Sequence, residues 1–141
     1  MAEIKVKIDN VFCMPKQAHP GEWADLAVAE DIDMKSGDFK LIDLGVCIKV
    51  PAGYEAIVAP RSSTFKKWGI LQANGIGVID EKYCGDNDKW LFPALAMRDT
   101  HIPAGTRIAQ FRIQPTQGDL AFNIVDKMSG PDRGGIGSTG N

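Results

Sequence analysis

The chain is 141 residues long, with 44% apolar and 24% charged residues and a formal net charge of −2. That is one ordinary globular domain, large enough to bury a core without disulfides. Sixteen basic against eighteen acidic residues leave no surplus to neutralise a nucleic-acid backbone, and no apolar run nears the ~20 residues of a membrane span. Neither nucleic acid nor membrane is therefore an expected partner. The start, Met1-Ala-Glu-Ile-Lys5, alternates charged with apolar residues, unlike a secretion signal. Three cysteines, Cys13, Cys47 and Cys84, cannot all pair within one chain and form no CxxC. A reduced, cytoplasmic setting is expected. His19 and His101 are too scattered to point to zinc.

In chain order, most segments alternate with period two and stop at Pro or Gly. Glu3-Ile-Lys-Val-Lys-Ile8 puts Ile4, Val6 and Ile8 on one strand face. A strand over 45–50 meets Pro51-Ala-Gly-Tyr54, a turn expected to hold Pro at its second or third position. A strand over 55–59 ends at Pro60. Residues 61–68 can hold about two helical turns, with a Ser cap candidate and Gly69 as the stop. Phe65 and Trp68 are expected to pack that helix. Trp90 to Met97 is the most apolar stretch and reads as a buried strand, with Pro93 at an edge or bulge. Ile102-Pro-Ala-Gly105 is a second turn of the first type. The strand after it places Ile108, Gln110 and Arg112 on one face and Ala109, Phe111 and Ile113 on the other. From Lys127 onward little could form a core, and Gly fills five of the last twelve positions. These elements predict an all-β barrel or sandwich with one short helix at about 62–68. They divide the chain into a β domain over 1–126 and a flexible Gly-rich tail over 127–141.

Several residue groups could carry chemistry. Arg133-Gly-Gly-Ile-Gly-Ser-Thr-Gly140 joins a guanidinium, two hydroxyls and open backbone, a set suited to phosphate; it also reads as a disordered tail. Pro60-Arg-Ser-Ser63 at a helix start can bind an anion, or can be a capped helix with a surface Arg. In Asn74-Gly-Ile-Gly-Val-Ile-Asp80, the glycines leave backbone open to a ligand. Asp80 ends an apolar run, where a partly buried carboxylate suits a general base; it also reads as a turn former. Asp25 and Gln110 are polar residues inside apolar strands. Jointly these groups suggest a phosphate site plus an acid.

Five motifs in order resemble the homotrimeric dUTP pyrophosphatases, the dUTPases. They are Ala24-Asp-Leu-Ala-Val-Ala29; Pro60-Arg-Ser-Ser63 running on to Lys67-Trp-Gly-Ile70; Gly77-Val-Ile-Asp-Glu-Lys-Tyr83-Cys-Gly85; Gly105-Thr-Arg-Ile-Ala-Gln-Phe111; and the tail 133–140. Gly85-Asp-Asn-Asp88 before Trp90 is similar to a bacterial and phage subgroup. The resemblance implies a jelly-roll-like β subunit, and hydrolysis of dUTP to dUMP and pyrophosphate by a homotrimer whose sites draw on all three chains. The third motif would come from one subunit, the first, second and fourth from another, and the tail from the third. Mg²⁺ would be held mainly by the triphosphate and waters.

The same resemblance implies roles by position. Asp80 would orient and deprotonate the water that attacks the α-phosphorus. Tyr83 would lie against the deoxyribose and exclude a 2′-hydroxyl. The backbone of 74–79, including Gly77 and Ile79, would bond the uracil edge, with Asn74 a further candidate. Arg61, Ser62 and Ser63 would hold phosphates. Gln110 would contact the α-phosphate or the water, and Asp25 would receive metal-bound waters. Arg133, Gly135, Ser138 and Thr139 would close over the γ-phosphate. Ile136 stands where the family's stacking Phe is usual. An aromatic after the third motif can take over stacking in the subgroup; Trp90, Leu91 and Phe92 are the candidates, Leu91 the aligned one. The alternatives are a dCTP deaminase-like enzyme of the same fold, or a nucleotide-gated regulatory binding protein. Deamination needs a Glu after the third motif, and this chain has none after Glu81.

Overall fold

The computed structural model describes residues 3–137. Alternation of period two becomes strands along most of the chain. In order these are β1 (Lys5–Ile8), β2 (Ala24–Ala27), β3 (Ile32–Met34), β4 (Phe39–Asp43), β5 (Val46–Lys49) and β6 (Tyr54–Pro60). After the helix α1 (Thr64–Trp68) follow β7 (Ile70–Gln72), β8 (Gly77–Ile79), β9 (Leu91–Ala96), β10 (Thr100–Ile102) and β11 (Arg107–Pro115). A single 3-10 turn spans Val11–Cys13. The strands form a four-stranded sheet β2-β11-β6-β8, a three-stranded sheet β4-β9-β7, and the pairs β1-β5 and β10-β3. Every pairing is antiparallel. The result is the all-β, jelly-roll-like fold expected. No helix among the described residues is long and apolar enough to cross a membrane.

The core lies between the sheets. Leu26, Ile42, Leu44, Ile48, Ile70, Phe92, Ile102 and Ile108 are fully buried there. Trp90 meets Phe111 edge-on, with ring centroids 5.1 Å apart, a favoured aromatic geometry. Ile4, Val6 and Ile8 pack against this core from one face of β1, as the alternation predicts.

Several local expectations need correction. In both Pro-Ala-Gly turns the proline is the first turn residue. Tyr54 N donates to Pro51 O and Thr106 N to Pro103 O, each at 3.1 Å. Ile108 is buried together with Ala109, because the pairing of β11 with β2 slips at a bulge between Arg107 and Ala109. Pro93 lies in the central strand of its sheet, opposite Leu41. It is tolerated because β7 ends at Gln72, so on that side only its carbonyl is needed, and it accepts from Ala73 N at 2.8 Å. The helix starts at Thr64, not 62. Ser63 is the N-cap residue, but its side chain makes no capping bond. Gly69 stops the helix as predicted, in the left-handed region at φ 66°. Trp68 packs on the core, whereas Phe65 is half exposed.

Among the described residues, regular structure ends at Pro115. Residues 116–137 carry neither helix nor strand, and Phe122 (88% exposed) and Ile124 (97%) stand clear of the body.

Candidate active site

Strand register builds the first cleft. Asp25 on β2 lies directly opposite Gln110 on β11, and Gln110 lies opposite Ala59 on β6. Arg61 follows the last residue of β6. Its backbone is fixed by Thr64, whose Oγ1 accepts from Arg61 N at 3.1 Å and donates to Ile108 O at 2.7 Å. The hydroxyl that secures this corner is therefore Thr64, which leaves Ser62 and Ser63 uncommitted to capping. Arg61 Nε pairs with Asp25 Oδ1 at 3.3 Å, and Gln110 Nε2 donates to Pro60 O at 3.0 Å. The cleft has a volume of about 460 Å³ and is also lined by Lys16, Glu22, Trp23 and Ser62. Lys16 and Arg61 face Glu22 and Asp25, so its own charges cancel.

The second cleft, about 500 Å³, is lined by Val58, Asn74, Gly77, Val78, Ile79, Asp80, Tyr83, Trp90 and Leu91, with Lys82 and Lys89 at hand. Its mouth is the turn into β8: Gly75 N donates to Gln72 O at 3.0 Å and Ile76 N to Asn74 O at 2.9 Å. Tyr83 is braced by its hydroxyl, which donates to Lys89 O at 2.8 Å. Partial burial holds that phenol above its ordinary pKa, so it remains a neutral donor. Lys89 pairs with Asp9, which raises its pKa and occupies its charge.

Asp80 departs from the expectation of a partly buried carboxylate. It is exposed in the chain, just past β8, and it also forms a turn: Oδ1 accepts from Lys82 N at 2.7 Å and its carbonyl from Tyr83 N at 3.2 Å. The turn fixes the carboxylate's direction through one oxygen and leaves the other unused by it. Among the stacking candidates, Trp90 (1% exposed) and Phe92 belong to the core, whereas Leu91 (38%) stands open at the cleft edge.

The two clefts do not meet within one chain. Ile79 pairs with Ala56, which sets Asp80 level with Glu55 near the start of β6. Arg61 lies beyond the other end of β6. Six residues of strand separate the two levels, roughly 20 Å at a strand's rise. Arg133, Gly135 and Ile136 are exposed and line neither cleft. Ser138 and Thr139 lie outside the described residues. Sequence reading missed Lys16, Trp23, Lys82 and Lys89. Trp23 could have been found as the aromatic beside Asp25; the lysines carry no pattern that sets them apart.

The dUTPase family model matches residues 14–140. The SPbeta prophage-derived deoxyuridine 5'-triphosphate nucleotidohydrolase of Bacillus subtilis (strain 168) is 50% identical over 139 residues, covering 98% of each chain. Two solved structures share the fold. The dUTPase of Staphylococcus bacteriophage 80alpha, with dUPNHPP, superposes with a TM-score of 0.73 at 22% identity, covering 99% of both chains. A mutant dUTPase from phage phi11 of S. aureus, which coordinates a structural Mg(II) ion, superposes at 0.74 and 17% identity, covering 89% of this chain and 98% of that one. The chain belongs to the dUTPase family.

Proposed function

We propose that this dUTPase hydrolyses dUTP to dUMP and pyrophosphate at sites completed between chains. The observation that carries the reading is the sorting of the motif residues into two clefts that share no lining residue, with Asp80 level with Glu55 near the start of β6 and Arg61 beyond its end. One holds Arg61, Asp25 and Gln110; the other holds Asn74, Gly77, Ile79, Asp80 and Tyr83.

Asp80 is the general base. Its turn aims the carboxylate at a water placed in line with the α-phosphorus, and the carboxylate takes that water's proton as the bond to phosphorus forms. Pyrophosphate leaves. The backbone of 74–79 pairs with the uracil edge, and Asn74 adds its amide. Fixed main-chain donors and acceptors reject cytosine because its edge leaves buried groups unpaired. Tyr83 lies against the sugar. Arg61, Ser62 and Ser63 bind phosphates and stabilise the charge that develops on them. Asp25 grips Arg61 through Nε and Nη1 donates to Arg107 O at 3.5 Å, so Nη2 remains to reach a phosphate. Gln110 contacts the α-phosphate or the water. Leu91 covers the base at the edge of its cleft, and Ile136 can add apolar contact from the tail.

Mg²⁺ fits this donor set. The phosphate cleft brings no net positive charge of its own, and its two carboxylates, Glu22 and Asp25, suit an ion held chiefly by substrate oxygens and water. When bound, the ion neutralises phosphate oxygens; Asp25 would receive its waters.

The same geometry supports the homotrimer. Asp80 cannot reach phosphates held by its own chain's Arg61, so a neighbour's phosphate cleft must face it. The outer face of β4-β9-β7 supports such packing: Phe39, Leu41 and Leu71 are apolar and exposed. Residues 127–141 form the tail, with Arg133, Gly135, Ser138 and Thr139 closing over the γ-phosphate of a neighbouring site. The working location is the cytoplasm. Pyrophosphate release from dUTP with Mg²⁺, compared with dCTP and dTTP, tests the reading. Selective turnover of dUTP is expected; equal turnover of the three, or ammonia release from dCTP, would overturn it.

A further inference from the structure

Gln72 is the buried polar side chain that the mechanism above leaves without a task. The inward positions of β7 are Ile70 and Gln72, and Gln72 is only 8% exposed. A leucine there would fill a similar volume with no polar cost. The amide instead donates from Nε2 to Val58 O at 3.2 Å. A carbonyl only accepts, so this bond fixes the amide's orientation and turns Oε1 away. Among the described residues Oε1 is buried and has no partner. The site thus keeps an amide that is only half satisfied, which costs stability.

Its position explains what that cost secures. Val58 is the β6 partner of Gly77, the first residue of β8. A Cβ at Gly77 would lie 3.3 Å from Val58 Cβ, 3.7 Å from Gln72 Nε2 and 3.9 Å from Asn74 Nδ2. Gln72's own carbonyl also closes the turn, accepting from Gly75 N at 3.0 Å. Main chain and side chain of one residue therefore hold Gly75 directly and, through Val58, the strand opposite Gly77, both within the segment that would read the base. Gln72 does not itself line the cleft; Val58, Asn74 and Gly77 do.

We infer that Gln72 is a positioning residue for base selection. Through Val58 O it fixes the height of β6 under Gly77, and hence the spacing of the backbone groups presented to the uracil edge. This rests on the proposed reading of 74–79 as the base-recognising segment. It predicts an effect on discrimination rather than on the chemical step.

The test compares kcat and KM for dUTP and dCTP in three variants. Gln72→Leu should lower the dUTP preference about tenfold, mostly through the KM for dUTP, while the melting temperature does not fall. An unchanged preference in a folded Gln72→Leu would overturn the inference. Gln72→Glu keeps the test available if the leucine variant does not fold. Protonated, it can donate to Val58 O; ionised, it sets charge against a carbonyl. Its dUTP preference should therefore be near the wild-type value at low pH and fall as pH rises; a flat profile would overturn the inference. Asn74→Ala separates the two levels. If it lowers the preference and Gln72→Leu does not, only the inference fails. If neither variant lowers it, the reading of 74–79 fails as well.

Discussion

The two clefts along β6 are built by different means. The cleft beyond its C-terminal end is made of side chains: Arg61, Asp25 and Gln110 are brought together by strand register and one ion pair. The cleft beside β8 includes the tight segment 74–79, whose main chain is held by the turn and by pairing with β6, and Asp80 is exposed at its rim. On the proposed function, the difference follows the ligand. Phosphates are matched by mobile charge, which long side chains and a metal ion provide. A base edge is matched by fixed donors and acceptors, which main chain provides with little entropy to lose.

That contrast can be broken from either side. The largest effect is expected at Asp80. Asp80→Asn removes the base but keeps the turn, so turnover should fall about 10²–10⁴-fold, while a non-hydrolysable analogue binds nearly as before. Pyrophosphate release and calorimetry check the two halves. Arg61→Ala acts on the other cleft and should not give this split. It removes a phosphate contact and leaves Asp25 unpaired, so kcat should fall about 10²-fold and analogue binding should weaken with it. A smaller effect belongs to the edge of the base cleft. Leu91→Ala removes partly exposed apolar contact, of order 1 kcal/mol, so the KM for dUTP should rise about fivefold with kcat little changed.

The smallest effect lies away from both clefts, at His101. Its Nδ1 lies 2.7 Å from Asp33 Oδ1, and that bond holds the imidazole pKa above its ordinary value. A raised folded pKa means that the pair's stabilisation is complete below the ordinary histidine pKa. It is lost as pH rises through the raised one. Both side chains are exposed, so His101→Gln should lower the melting temperature only slightly, only on the acid side, and leave activity unchanged. Thermal melts across pH check this.

Much of this was legible in the sequence, because alternation and Pro-Gly punctuation are local signals. The strand faces of Ile4, Val6 and Ile8 and the stop at Gly69 follow directly. What failed depended on tertiary context. The bulge that buries Ile108 arises in pairing with β2, which lies about eighty residues earlier in the chain. Pro93 sits in a central strand because its neighbour happens to end there. Asp80's exposure depends on what does not cover it within one chain. Motif residues were findable by their order, whereas Gln72 was not: a Gln in a short strand has no pattern until its burial beneath Gly77 is seen.

The central claim is that Asp80 and Arg61 serve one site only when they come from different chains. Mixing inactive Asp80→Asn and Arg61→Ala chains under conditions that exchange subunits tests it most directly. In random heterotrimers, about a quarter of the sites would pair an intact Asp80 with an intact Arg61 from the neighbour. Recovery of dUTP hydrolysis toward that fraction of wild-type activity is expected. If exchange is verified and the mixture remains as inactive as its parents, both residues act within one chain and the account is contradicted.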